Sequence, residues 1–298
     1  AKKHGITCSK PGNGVCHQLQ LENFSKPGET LVGSDSHTTT CGAMGMIAIG
    51  AGGLDVAVAM ATGKYYLQCP SVIQVNLTGQ KAPWVSAKDI ILKVLQELSV
   101  KGGVNKIVEY TGEGIATLSL TDRATICNMG AELGATTSVF PTDKRTLEYL
   151  KQQGRENDYV EMKADADATY DQVLEIDMST LEPMVAKPHS PDAVVPAREL
   201  EGMAINQVVI GSCTNSSFAD MMRAAKILKG RKVAEHVSLV IAPGSSSILA
   251  MLSENGALAD MIQAGARILE CGCGPCIGMG QAPLSKGVSL RTINSNIK

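Results

Sequence analysis

The feature that most restricts the fold is an alternation, sustained along the chain, of short β-branched runs with amphipathic helical stretches. That pattern belongs to α/β units built on largely parallel strands, because a parallel pair needs a crossover and a helix is the usual one. Ile73, Val75 and Leu77 mark one face of a strand. The next stretch opens with Ser86 and Asp89 as a capping pair and continues with Ile90, Ile91, Val94, Leu95 and Leu98 at helical spacing. Further strands are expected at 106–110, 136–140, 173–176, 206–210, 237–241 and 266–269. The fold class expected is therefore α/β, in three-layer α/β/α units with mainly parallel sheets.

A chain of 298 residues exceeds one comfortable core. The stretch from Glu182 to Arg198 carries four prolines and little periodicity and reads as a linker, and a second boundary is expected near Pro70. These cuts give 1–70 as a partial first α/β domain, 71–190 as a second, and 191–298 as a third, also partial.

A formal net charge of -2 with no basic run argues against nucleic-acid and anionic-membrane partners and leaves a small molecule as the expected ligand. No apolar stretch approaches the roughly 18 residues of a membrane span, and no secretory h-region is recognisable, so a cytoplasmic protein is expected. Nine cysteines, an odd count, then argue for reduced thiols with chemical or metal-binding work rather than a disulfide framework. For Cys8, Cys16, Cys69 and Cys127 the plain reading is a single buried thiol.

The sharpest motifs are Cys213 in VVIGSCTNSS and the pair Cys273 and Cys276 in ILECGCGPCIG, each directly after an expected strand. Ligands in open α/β sheets collect beyond the carboxyl ends of strands, so two distant segments can meet there. Three thiolates would leave one iron of a 4Fe-4S cube without a cysteine, free to act as a Lewis acid. Glycines at 211, 272, 274 and 278 would let backbone approach such a group, and Ser217 with Asp220 would start a helix at the site. Two other readings stay open. One is a three-cysteine zinc site, although structural zinc prefers four ligands. The other is a redox dithiol, since Cys273-Gly-Pro-Cys276 has thioredoxin-type spelling. Cys271 is a further thiol that can ligate, substitute or do nothing.

A second constellation, Gly33-Ser34-Asp35-Ser36-His37-Thr38, follows a short strand at 30–32 and sets an acid, a hydroxyl and an imidazole side by side. His17 in GVCHQLQLEN offers a second imidazole. Taken alone, Asp-Ser-His is more often a solvated turn. In the third, RATICNMGAELG, a helix would place Asn128 and Glu132 one turn apart on a shared face, although a surface polar stripe reads the same way.

With GSDSHT, RATICNMGAELGATTSVFP, IGSCTNSS and CGPCIG in this order, the chain resembles the aconitase family over nearly its whole length. The likeness is nearest to single-chain bacterial aconitases, with homoaconitases and isopropylmalate isomerase large subunits further off. It implies an iron-sulfur core that isomerises citrate to isocitrate through cis-aconitate by removing and re-adding water. Cys213, Cys273 and Cys276 would hold a 4Fe-4S cluster with one iron lacking a cysteine. Asn294 would lie near it. Asp35 would pair with His17, and Glu132 with His37, while Ser36 and Asn128 would lie by the cluster or the tricarboxylic acid substrate. In the implied reaction the hydroxyl leaves with a proton from the histidine network and a serine takes the carbon-bound proton.

The resemblance also implies an upstream Asp-His pair and a downstream swivel domain that carries the serine and a substrate-binding arginine. Neither is found in these 298 residues, so the expectation is a fragment that binds a cluster but needs the swivel domain for turnover. Alternatives are a non-catalytic iron-sulfur or redox-sensing module, or an isomerase of homocitrate, isopropylmalate or methylcitrate.

Overall fold

The structure is a computed structural model and describes residues 1–293. Its backbone gathers into two units, a terminal one made of residues 1–19 with those from 204 onward, and a central one of 20–203. The boundary falls within α1 (Cys16–Asn23).

In the central unit β1 (Thr30–Gly33) and β2 (Ile47–Gly50) pair in parallel, and α2 (Gly53–Thr62) follows. The main sheet is built from β3 (Ser71–Thr78), β4 (Lys106–Thr111), β5 (Thr137–Val139) and β6 (Gln172–Asp177), in the order β5-β4-β3-β6 and parallel throughout. Between these strands run α3 (Ala87–Leu98), α4 (Leu120–Met129) and α5 (Lys144–Gln152). Alternation puts Ile73, Val75 and Leu77 on one buried face, where they meet Ile90, Ile91, Val94 and Leu95 of α3. Each such side chain contributes about 1.5–3 kcal/mol on burial, so this layer is the main source of the unit's stability. Ser86 and Asp89 form the expected capping box, and Ser119 with Asp122 repeat it on α4.

The proline-rich stretch read as a linker contains structure. Met184–Ala186 (β7) and Val194–Pro196 (β8) pair as an antiparallel hairpin. It is fastened to α3, since Met184 N–H donates to Asp89 Oδ1 at 2.7 Å and Gln96 Nε2 donates to the Val194 carbonyl at 3.1 Å. Periodicity missed this pairing because three-residue strands are too short to show a period.

In the terminal unit β9 (Gln207–Gly211), β10 (Ser238–Ala242), β11 (Arg267–Ile268) and β12 (Ser289–Arg291) form a parallel sheet in the order β11-β10-β9-β12. The helices α6 (Phe218–Leu228), α7 (Ser246–Glu254) and α8 (Ala257–Ala264) bury Met221, Ile248, Leu252 and Met261 with Leu239 and Ile241. The architecture is thus α/β with parallel sheets, as the alternation predicts. Because β9, β10 and β11 run the same way, the loops after them leave one end of the sheet. Among the described residues no helix is long and apolar enough to cross a membrane.

Candidate functional site

The cysteine motifs occupy that end of the terminal sheet. Gly211 closes β9 with a φ of 115°, and a Cβ there would stand 2.0 Å from the Ala242 carbonyl oxygen, so only glycine fits. Ser212 then takes a φ of 58°, a left-handed conformation uncommon for a residue with a side chain. This sharp turn delivers Cys213, while Ser217 and Asp220 cap α6 immediately afterwards. Beyond β11 the chain reaches Cys273 and Cys276 through a single 3-10 turn at Gly274–Ile277.

Sequence-distant thiols meet here. Cys273 and Cys276 both lie close enough to Cys213 for its thiol to act on theirs. Cys276 also lies 2.8 Å from Ser212 Oγ, and Arg291 is close enough for its charge to act on the Cys276 thiol. Both CxxC thiols are pushed well above the ordinary cysteine range, first by hydrogen bonding to Cys213 and then by burial and mutual repulsion. A reactive dithiol needs the opposite, a lowered pKa at a helix start, and this motif begins a 3-10 turn rather than an α-helix. Closely packed thiols that resist ionisation side by side suit a cation that neutralises them together, so the donor set fits a thiolate-held iron-sulfur group. Cys271 is buried beside the motif. Gly211 is required by its approach to β10, whereas a Cβ on Gly272 would meet no protein atom within 4 Å. Asn294 lies outside the described residues.

Of the thiols read as buried, only Cys127 is so. Cys8, Cys16 and Cys69 are exposed. Spacing gave no warning, because none of the three lies in a periodic stretch. His17 belongs to the terminal unit and is 5% exposed, with its ring nitrogens 3.7 and 3.8 Å from Cys16 Sγ.

The other proposed side chains lie in the central unit. Asp35 caps the 3-10 segment Ser36–Met44 by accepting from the His37 backbone N–H at 2.8 Å. The His37 ring sits between two carboxylates, with Nδ1 3.4 Å from Asp35 Oδ1 and Nε2 3.3 Å from Glu132 Oε1. Ser36 Oγ stands 3.2 Å from the same Nδ1. An imidazole with an acidic group at each nitrogen can take up a proton on one side while held in orientation from the other.

The elements behind this pair are fixed from α4. Asn128, fully buried, donates to Thr40 Oγ1 at 2.9 Å, and Thr40 Oγ1 donates to the His37 carbonyl at 2.6 Å. Thr39 Oγ1 donates to the Cys127 carbonyl at 2.8 Å. Gly42 allows the same segment to lie against β5, since a Cβ there would fall 1.7 Å from the Ser138 oxygen. Asn128 is therefore no surface stripe. Nor does α4 run on to Glu132, because it ends at Met129 and a 3-10 turn at Gly130–Leu133 carries the carboxylate. Sequence reasoning overlooked Ser212, Thr39 and Thr40, whose only signal was adjacency to a singled-out residue.

Comparison with known proteins gives a consistent result. The model of the aconitase family (aconitate hydratase) matches residues 1–201 and 196–298. The chain is 42% identical, over all its length and 72% of the relative's, to the 3-isopropylmalate dehydratase large subunit 2 of Archaeoglobus fulgidus. It is 45% identical to the mitochondrial aconitate hydratase of Schizosaccharomyces pombe, with 93% of this chain and 37% of that protein covered. Against the mitochondrial homocitrate dehydratase of Saccharomyces cerevisiae the identity is 42%, over 93% of this chain and 38% of the relative. Among solved structures, aconitase X of Thermococcus kodakaraensis superposes with a TM-score of 0.53 at 17% identity, covering 91% of this chain and 63% of the other, which is a likeness of fold.

Proposed function

The chain belongs to the aconitase family, and from that premise we propose that it is the cluster-binding core of a hydro-lyase that dehydrates and rehydrates a hydroxy polycarboxylic acid. The observation that carries the reading is the meeting of Cys213 with Cys273 and Cys276 at one end of a parallel sheet. Citrate to isocitrate is the reaction favoured for the complete protein. Relatives named for isopropylmalate, aconitate and homocitrate match at 42–45% identity, so the acid itself follows from the family resemblance and not from rank among relatives.

In this proposal Cys213, Cys273 and Cys276 hold a 4Fe-4S cluster. Such a group supplies a Lewis-acidic iron toward the hydroxyl and carboxylate oxygens of a substrate. Ser212 donates a hydrogen bond to the Cys276 sulfur and stabilises its thiolate form. Arg291 adds positive charge on the same side. In the central unit His37 is the proton carrier, with Glu132 as its exchange partner and Asp35 fixing the turn. Ser36 and Asn128 position that turn. The pairing of Asp35 with His17 that the resemblance implies belongs to the same proposal.

The chain spans 72% of the archaeal large subunit but 37–38% of the fungal hydratase and homocitrate dehydratase, so further segments are part of the proposal. A swivel domain or small subunit supplies the serine base and substrate arginine, and the three-part division at about 70 and 190 is kept alongside it. Cytoplasmic placement is likewise kept as a proposal. The test is an assay of citrate, homocitrate and 3-isopropylmalate dehydration by the 298-residue chain after anaerobic reconstitution. Cluster assembly without turnover is expected, with turnover restored by adding the swivel part. Turnover by the chain alone would remove the swivel requirement, and failure of the complete system on all three acids would remove the hydro-lyase reading.

A further inference from the structure

The helix that carries His17 is short. With eight residues, about two turns, α1 has a length at which a helix holds only where something outside it ties its ends. One side chain gathers its carboxyl end. Arg155 Nη1 donates to the Leu21 carbonyl at 3.1 Å and to the Glu22 carbonyl at 3.2 Å, and Nη2 donates to the Ser25 carbonyl. Nε donates to Asp158 Oδ2 at 3.0 Å, which fixes the plane of the guanidinium, and Asp158 Oδ1 also pairs with Lys26 Nζ at 3.2 Å. The backbone aims the side chain as well. Gly154 turns the chain after α5 with a φ of 67°, and Arg155 N–H returns to the Leu150 carbonyl at 2.8 Å. Leu21, Glu22 and Ser25 are buried, so carbonyls that a helix end leaves without intrahelical partners are met here by a cation, at the end where the helix dipole is negative.

We propose that Arg155 is a positioning residue of the hydro-lyase, fixing the carboxyl end of α1 and through it the direction in which the helix presents His17. The proposal rests on the hydro-lyase reading given above and on the part His17 has in it. The contacts of Arg155 are backbone carbonyls and a carboxylate, so it acts through α1 rather than on substrate. From Glu22 back to His17 the helix rises about 7.5 Å. A tilt of about 10° at the anchored end therefore moves the imidazole by roughly 1 Å, and a displacement of that size costs on the order of 10²-fold in rate. Lysine cannot replace this anchor, because an ammonium has no planar fork to span three carbonyls and a carboxylate together.

Two measurements test it. The first follows amide hydrogen exchange in the 298-residue chain, wild type beside Arg155→Ala and Arg155→Lys. The amides of α1 should exchange about tenfold faster in the alanine variant, and rates equal to wild type would overturn the proposal. The second is a double-mutant cycle in the complete hydro-lyase, with kcat and KM measured for both Arg155 variants, for His17→Ala and for the combinations. Arg155→Ala should lower kcat by about 10²-fold and Arg155→Lys by less, with KM held within about threefold. Neither should lower kcat further once His17 is alanine. A kcat near wild type, or losses that add in the combined variants, would overturn the proposal and leave Arg155 a role in general stability. Should Arg155→Ala fail to fold, Arg155→Lys carries both comparisons. A wild-type enzyme inactive on citrate, homocitrate and 3-isopropylmalate, with the exchange difference intact, would remove the hydro-lyase reading and leave Arg155 as the anchor of α1.

Discussion

At the scale of single residues, the His37 ring between Asp35 and Glu132 and the thiols around Cys213 demand different tests. Glu132→Gln keeps shape and a hydrogen-bond acceptor but removes the proton-exchanging charge. It should lower kcat of the complete hydro-lyase by about 10²- to 10⁴-fold, while stability moves by less than about 1 kcal/mol because the pair is partly exposed. A kcat near wild type would take His37 and Glu132 out of the chemistry. Arg123 is the opposite case. Its guanidinium is fully buried, ion-paired with Asp143 and donating to the Ile115 carbonyl at 3.0 Å and the Pro141 carbonyl at 3.2 Å. Arg123→Ala should therefore destabilise the fold by roughly 3–5 kcal/mol, visible as a lower urea midpoint at unchanged slope. The pairing of Glu132 with His37 was legible because both lie in motifs that resemble a family. Ser212 and Thr40 were not legible, since a hydroxyl's role depends on which backbone group or thiol faces it. Cys16 was misread as buried because a lone cysteine carries no periodicity.

At the scale of elements, the chain repeatedly starts helices with a serine followed three residues later by aspartate, at Ser86, Ser119 and Ser217. The boxes at Ser86 and Ser217 were readable in advance, and so were the strands of the main sheet, because Ile73, Val75 and Leu77 alternate over enough residues to declare a face. The box at Ser119 and the short strands β2 and β12 were not read. Ser217→Ala should cost about 1 kcal/mol, and because α6 begins just after Cys213 it should also weaken metal retention. An unchanged metal affinity would separate the helix start from the site. Gly42→Ala forces a methyl into the Ser138 backbone oxygen. It should destabilise the chain by about 3 kcal/mol or more, again read from the denaturation midpoint. The hairpin of β7 and β8 lay beyond sequence reasoning, since its anchor is the second oxygen of Asp89, already committed to a cap.

At the scale of the whole molecule, family membership and an α/β fold with parallel sheets rest on the match along the full chain. What the complete protein does rests on the terminal unit acting as a metal centre. A redox dithiol and a zinc site make different demands, one for lowered thiol pKa values and the other for a closed set of ligands without iron or sulfide. The most direct measurement is anaerobic reconstitution of the wild-type chain beside Cys213→Ser, Cys273→Ser and Cys276→Ser, with iron and acid-labile sulfide counted per polypeptide. About four of each are expected on the wild type, with a loss of cluster absorbance in all three variants. Stoichiometric zinc without sulfide, or a full cluster surviving Cys213→Ser, would contradict it.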